Sequence, residues 1–342
     1  MDIPSRSLWR PLLTMPRKAP EAPVSSAQLG FLGELETLAA SPVSVLIRGE
    51  HGAGKSRAAS WLHSSSPRAS GPLVVVDLGS LAPSLMEAEL FGHEQGAFTG
   101  AHQARLGRVR RADGGTLVLD GIEGLAFEAQ GKLLRVLQER VVEPLGAEAP
   151  QPVDVRVVAT AGPALTDALA QGHFREDLYF RLAVVEVTAP PLRRRIEDLD
   201  ALCRNLLTEI AKRCGVPRRE LSEQALARLQ AHPWPGNVRE LENALERVLV
   251  LGVGLDEPIG EQELEFLGEA VAGADARLAQ RALAHGIGMD AMELALLEQA
   301  LLQERDNHSA AARALGLSRK AFGYRLKKLR NQASEDESGQ SD

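Results

Sequence analysis

The stretch GEHGAGKS, Gly49 to Ser56, directly follows the apolar run Val43 to Ile47 and restricts the fold of this chain more than any other segment. Its spacing is G-x-x-x-x-G-K-[ST], a loop whose glycines let successive backbone N–H groups turn toward one anionic point at a helix N-terminus. Such a loop works where a buried strand hands over to a helix, and a helix is expected from Lys55 onward. Further apolar runs, Leu73 to Val76, Thr116 to Leu119, Val155 to Val158 and Val184 to Val187, alternate with helix-like stretches. Continuous apolar strands spaced by helices indicate an α/β fold with a parallel sheet covered on both faces. The run GGTLVLD ends a strand in Asp120. An aspartate after a strand is more often a turn residue, but beside this loop it is expected to hold Mg²⁺ together with Ser56. Gly49, Glu50, His51, Gly52, Ala53 and Gly54 would then line the phosphates, with Lys55 neutralising the β/γ charge.

The remaining features divide the chain. Residues 1–24 hold five prolines and no apolar period and are expected to be a flexible arm. The α/β region covers 25–188. A helical segment follows the Pro190-Pro191 break over 189–255, then a Gly-, Ala- and acid-rich connection over 256–290, an ordered piece over 291–330, and an acidic tail over 331–342. Net charge is −7, yet residues 307–330 carry seven Lys or Arg and no Asp or Glu, so the remainder carries −14. An acidic body with one basic module is a nucleic-acid pattern. Within that module Asn307 and Ser318 are expected to cap two helices separated by Gly316. Phe322, Leu326 and Leu329 share one face of the second helix. Ser318, Arg319, Lys320, Tyr324, Arg325, Lys327 and Lys328 are the candidate DNA-binding residues, as in a helix-turn-helix recognition element. Gly323 interrupts it at about 1 kcal/mol relative to alanine. Met292, Leu296 and Ala300, at helical spacing, could form a dimer helix. Cys203 and Cys214 neighbour no second Cys or His at metal-ligand spacing, and no apolar run approaches the roughly 18 residues of a membrane span. A cytoplasmic protein with no membrane partner is expected.

One loop stands apart. In ELFGHEQGAFTGA, residues 89–101, Gly96 and Gly100 flank Ala97, Phe98 and Thr99. Glycines at both ends can reverse the chain and hold Phe98 outward toward a partner, or let it fold back onto the core.

Together with FREDLYFRL (174–182), PPLRRRIEDL (190–199) and WPGNVRELENALERV (234–248), these motifs occur in an order that resembles the AAA+ domain of sigma-54-dependent transcriptional activators, the bacterial enhancer-binding proteins. The C-terminal segment resembles their Fis-type helix-turn-helix. The resemblance implies an AAA+ P-loop domain with a helical lid that binds ATP and Mg²⁺ and assembles as a homo-oligomeric ring, a hexamer in the family. It implies contact with the sigma-54 RNA polymerase holoenzyme through Gly96, Ala97, Phe98, Thr99, Gly100 and Ala101, and binding to enhancer DNA. Arg175 and Arg181 match arginine fingers, for which a surface ion pair is the plainer alternative. Arg239 matches the second sensor, and Trp234 and Pro235 are expected to fix the lid turn. About 24 residues precede the AAA+ region, so the family's N-terminal sensory domain is expected to be missing.

Three departures bear on hydrolysis. The family follows its strand-end aspartate with a glutamate that polarises the attacking water, and here Gly121 follows Asp120. The asparagine restraining that glutamate aligns with Asp77, and the first sensor with Ala161 and Gly162. Glu123 shares the side of Gly121 on an extended chain but lies roughly 6–7 Å further along, so it substitutes as the base only if the GIEG turn folds differently. Weak or absent turnover is expected, and a glutamate at 121 should restore it only in part. The alternative to an active remodeller is a non-hydrolysing DNA-binding regulator or a passive subunit of a mixed ring. A metabolic P-loop kinase is disfavoured by the loop and the helix-turn-helix.

Overall fold

The computed structural model describes residues 25–98, 101, 103–252, 257–267, 289–304 and 306–338. The chain forms two compact units, one up to Leu264 and one from Glu265.

Nine short strands are defined in the first unit: β1 Val45–Arg48, β2 Leu73–Asp77, β3 Gly92–His93, β4 Arg105–Leu106, β5 Thr116–Asp120, β6 Val141–Val142, β7 Gln151–Pro152, β8 Arg156–Ala161 and β9 Val185–Thr188. Five of them make a parallel sheet in the order β2-β5-β8-β1-β9. Side chains alternate across it. Leu117 and Leu119 of β5 join Leu46, Val157 and Ala159 on one face, packed by Leu90, Leu133 and Leu178, while Val118 joins Val45, Ile47 and Val158 on the other, packed by Leu35 and Leu62. Both faces are therefore buried, as the unbroken apolar runs require. Arg156, though charged, is buried because its guanidinium donates to the carbonyls of Leu38 and Ala39 at the end of the helix Ser26–Ala39. All the strand C-termini lie at one edge, and that edge carries the site.

The lid contains the helices Leu199–Cys214, Glu223–Ala231 and Asn237–Leu251. Trp234 is fully buried at their turn and its indole N–H donates to the Leu229 carbonyl at 2.8 Å. The lid does not stop at 255: Leu221 bridges Ile259, and Arg219, only 2% exposed, donates to both carboxylate oxygens of Glu263 at 2.8 Å. A buried guanidinium needs that partner, so the segment around 257–264 belongs to the lid rather than to the connection expected from 256.

In the second unit the helices Met289–Gln303, His308–Ala314 and Arg319–Ser338 enclose Leu297, Leu301, Ala311, Phe322, Leu326 and Leu329. Asn307 caps the second helix, accepting from the N–H groups of Ser309 and Ala310 at 3.1 and 3.2 Å. The inner face of the first helix is Leu297, Ala300 and Leu301, and Leu296 is outward. One expectation is corrected. The last helix runs on to Ser338, past the boundary at 330 where the tail was expected. Residues 1–24 and 268–288 lie outside the described residues.

Candidate nucleotide site and its surroundings

The loop after β1 takes the conformation its glycines permit. Gly52 has φ +74° and Gly54 φ +100°, and the helix Lys55–Ser64 starts immediately beyond. Lys55 is buried and donates to the carbonyls of Gly49 and Glu50 at 2.8 and 2.9 Å. Its pKa is lowered, chiefly by burial, against the attraction of Glu123 and then Asp120. The Ser56 hydroxyl donates to Asp120 Oδ2 at 2.7 Å, and the Thr160 hydroxyl donates to Oδ1 of the same carboxylate while accepting from the Gly121 N–H at 3.0 Å. Ser56 and Asp120 thus meet across the end of the sheet.

The lid is seated on this loop. The Val238 N–H donates to the Gly52 carbonyl at 3.0 Å, and Asn237 Nδ2 donates to the His51 carbonyl at 3.0 Å and to Glu50 at 3.1 Å. A Cβ on Gly52 would stand 2.2 Å from the Gly236 carbonyl oxygen and 3.0 Å from Arg239 Cβ, so glycine is obligatory there on space as well as on φ. Arg239, in the first turn of the lid helix Asn237–Leu251, stands near enough for its charge to lower the Lys55 pKa. Glu50 faces the lid: Arg193 grips its carboxylate at 2.6 and 2.7 Å and holds its pKa below the usual carboxylate range. Its side chain therefore ties the loop to Arg193 and Asn237. Ala53 contributes its carbonyl to Arg195 at 2.8 Å. Sequence reasoning missed Arg193, Arg195 and Asn237. The P-G-N turn at 235–237, with Asn237 at φ +54°, was the available signal for the last.

Glu123 is not displaced along the chain. Gly121 adopts φ +72°, ψ +58°, and Ile122–Gly124 form one 3-10 turn that folds Glu123 back. Its Oε1 accepts from the Gly162 N–H at 2.9 Å, and its Oε2 is buried with no hydrogen-bond partner. Asp77 caps the turn Leu78–Ser80 through the Gly79 N–H.

Arg175 pairs with Asp177 at 2.8 Å, and Arg181 reaches the Leu137 carbonyl at 3.4 Å. Neither makes a hydrogen bond to the phosphate loop of its own chain. In the 96–101 loop the Gly96 N–H donates to the Ala101 carbonyl at 2.8 Å and the Ala101 N–H to the Phe98 carbonyl at 2.9 Å, closing the hairpin. Ala97 leans on Gly146, and Phe98 is 41% exposed with one edge against His93, ring centroids 5.0 Å apart. The Phe98 ring is thus partly packed on His93 and partly outward. Thr99 and Gly100 lie outside the described residues.

On the last helix Arg319, Lys320, Tyr324, Lys327 and Lys328 are exposed, Tyr324 at 71%. Ser318 caps that helix, accepting from the Ala321 N–H at 3.2 Å. Arg325 is held by Glu293 at 2.9 Å and Arg330 by Glu298 at 2.9 Å, so Arg325 differs from the other candidates in being tied to the first helix.

Residues 25–188 match the family model described as the Sigma-54 interaction domain, residues 193–269 the AAA+ ATPase lid domain, and residues 289–329 the bacterial regulatory protein, Fis family. The transcriptional regulatory protein ZraR of Klebsiella oxytoca is 41% identical over 302 residues, which cover 88% of this chain and 67% of that protein. The chain belongs to the sigma-54-dependent transcriptional activators. Among other members of this activator family, the C4-dicarboxylate transport regulator DctD of Pseudomonas aeruginosa is 44% identical over 299 residues, 86% of this chain and 61% of that protein. The chain thus spans about three-fifths of that relative. The crystal structure of NtrX from Brucella abortus superposes with a TM-score of 0.67 at 33% identity, covering 90% of this chain and 69% of that one. The lid match to 269 agrees with the packing of Ile259 and Glu263 on this activator's lid. No helix among the described residues is long and apolar enough to cross a membrane.

Proposed function

We propose that the chain binds Mg-ATP at Gly49–Ser56, assembles with copies of itself as a ring, contacts the sigma-54 holoenzyme through residues 96–101, and binds enhancer DNA through the exposed face of the last helix. The carrying observation is the phosphate loop with Lys55 buried behind it and the lid helix hydrogen-bonded to Gly52 and His51. NtrX, a neighbour in fold, is known in complex with ATP and with ADP. The residues present fit a magnesium ion: a hydroxyl and a carboxylate, both hard oxygen donors, stand 2.7 Å apart at the loop, and Mg²⁺ takes few protein ligands and keeps its waters. Bound there, the ion would neutralise charge on the β- and γ-phosphates. Lys55 would bind those same phosphates, and the N–H groups of 52–56 would orient them. Arg175 and Arg181, paired with Asp177 and the Leu137 carbonyl rather than with their own loop, suit a role in a neighbouring subunit's site.

A second reading, ATP binding without turnover by a DNA-binding regulator or by a passive subunit of a mixed ring, draws on Gly121, Asp77, Ala161 and Gly162. One capture experiment tests the first. With an ATP transition-state analogue present, the protein should retain sigma-54, Phe98→Ala should lose capture while still binding nucleotide by calorimetry, and Lys55→Ala should lose both. Undiminished nucleotide affinity in Lys55→Ala removes the site from Gly49–Ser56, and undiminished capture by Phe98→Ala removes the contact from the loop.

A further inference from the structure

Two departures from the family, Gly121 and Gly162, come together in space around Glu123. The left-handed Gly121 and the bond from the Gly124 N–H to the Gly121 carbonyl, 2.9 Å, reverse the chain right after Asp120. That reversal brings the Glu123 carboxylate to Gly162, the residue following β8, and the Ala161 carbonyl next to it accepts from Gly49, the first residue of the phosphate loop, at 3.2 Å. Of the carboxylates acting on the Lys55 ammonium, Glu123 exerts the largest pull, ahead of Asp120. A Cβ at 162 would lie 2.7 Å from Glu123 Oε1 and 3.2 Å from His51 Cε1, so the carboxylate and the imidazole fill the space a side chain there would need. The other carboxylate oxygen, Oε2, is buried and unpartnered. A buried charged oxygen without a donor costs more than an ordinary hydrogen bond returns, so such an atom calls for a partner that the protein itself does not supply.

We propose that Glu123 is the group that takes the proton from the water attacking ATP, moved two residues along the chain and admitted by the missing side chain at Gly162. The proposal rests on the reading of Gly49–Ser56 as an ATP site. The water oxygen forms the new bond to the γ-phosphorus and one of its protons passes to Glu123 Oε2. The bond from the γ-phosphorus to the β–γ bridging oxygen breaks, and its electron pair leaves with ADP. Inorganic phosphate and ADP are the products, and Glu123 returns its proton to solvent. The Gly162 N–H holds Oε1 throughout, so the carboxylate meets the water in one orientation.

The purely structural alternative is that Glu123 only caps the Gly162 amide. Glu123→Gln separates the two, because the amide oxygen still accepts from Gly162 while the base is gone. Steady-state ATPase of the full chain, read across protein concentration beside ATP affinity by calorimetry, is the test. The unmodified protein should hydrolyse ATP. Glu123→Gln should keep its melting temperature and ATP affinity but lose about 10²- to 10⁴-fold in kcat. Gly162→Ala should also lose kcat with ATP still bound, since its Cβ displaces the carboxylate. ATP binding without hydrolysis by the unmodified protein, or undiminished kcat in Glu123→Gln, overturns the proposal and leaves the ATP site standing. No ATP binding at all overturns the site reading itself.

Discussion

Putting the family's glutamate back at 121 is expected to harm this protein. Gly121 sits at φ +72°, ψ +58°, the left-handed region, where a residue with a Cβ pays roughly 1–2 kcal/mol. Nothing lies within 4 Å of the position a Cβ would take, so the whole cost is backbone conformation and no clash adds to it. In a unit of this size each kcal/mol lowers the melting temperature by roughly 2–4 °C, so Gly121→Glu should melt about 2–8 °C lower. The strain can be relieved only by turning φ negative, which opens the Ile122–Gly124 turn and withdraws Glu123 from Gly162. Turnover should therefore fall or stay level. Gly121→Asn provides the internal control, since asparagine tolerates the left-handed region better than most residues, and should melt between the two. Thermal unfolding with and without Mg-ATP, followed by ATPase on the same samples, is the assay. A Gly121→Glu protein that is both more stable and faster would refute this reasoning and restore the expectation from the family pattern.

Arg219→Ala should cost about 3 kcal/mol, the low end for a broken buried pair because Glu263 is 25% exposed. Glu263's carboxyl is held below its ordinary pKa by the Arg219 hydrogen bonds. Its stabilisation is therefore present above the ordinary carboxylate pKa of about 4.3 and lost as pH falls through the lowered folded value. Melting followed from pH 7 to pH 3 should show that acid loss in the parent and not in Arg219→Ala, and equal acid sensitivity would count against the pair. On the last helix, Lys320→Ala or Lys327→Ala should reduce the salt slope of DNA binding by about 1 each. Arg325→Ala, already paired with Glu293, should change it less, which anisotropy titrations at several salt concentrations would check.

The sheet was legible because its information is local. Each buried strand is a continuous apolar run, and the glycine loop is placed by a strand before it and a helix after it. The boundaries moved by about two residues, Val43 falling outside β1, since apolar composition does not mark where pairing begins. Glu123 was mislocated for a different reason. Its position depends on the φ of Gly121 and on an amide 39 residues away at Gly162, and an extended-chain estimate contains neither. The side-chain partners of Glu50 were not legible either, because Arg193 and Asn237 are 143 and 187 residues distant. The candidate DNA-binding set was drawn from charge and helical spacing, which do not distinguish Lys320 from an Arg325 whose counter-ion stands on another helix.

Gly52 has a consequence for leverage. The first turn of the lid helix Asn237–Leu251 is hydrogen-bonded directly to the Gly52 peptide of the loop, with no spacer between them. At 1.5 Å per residue its 15 residues make an arm about 22 Å long, so a tilt of about 5° at the Gly52 carbonyl would carry the far end, near Leu251, by about 2 Å. If the loop takes a phosphate as proposed, a small shift there would be magnified at the far end of the lid, and the glycine at position 52 is what brings the two backbones that close.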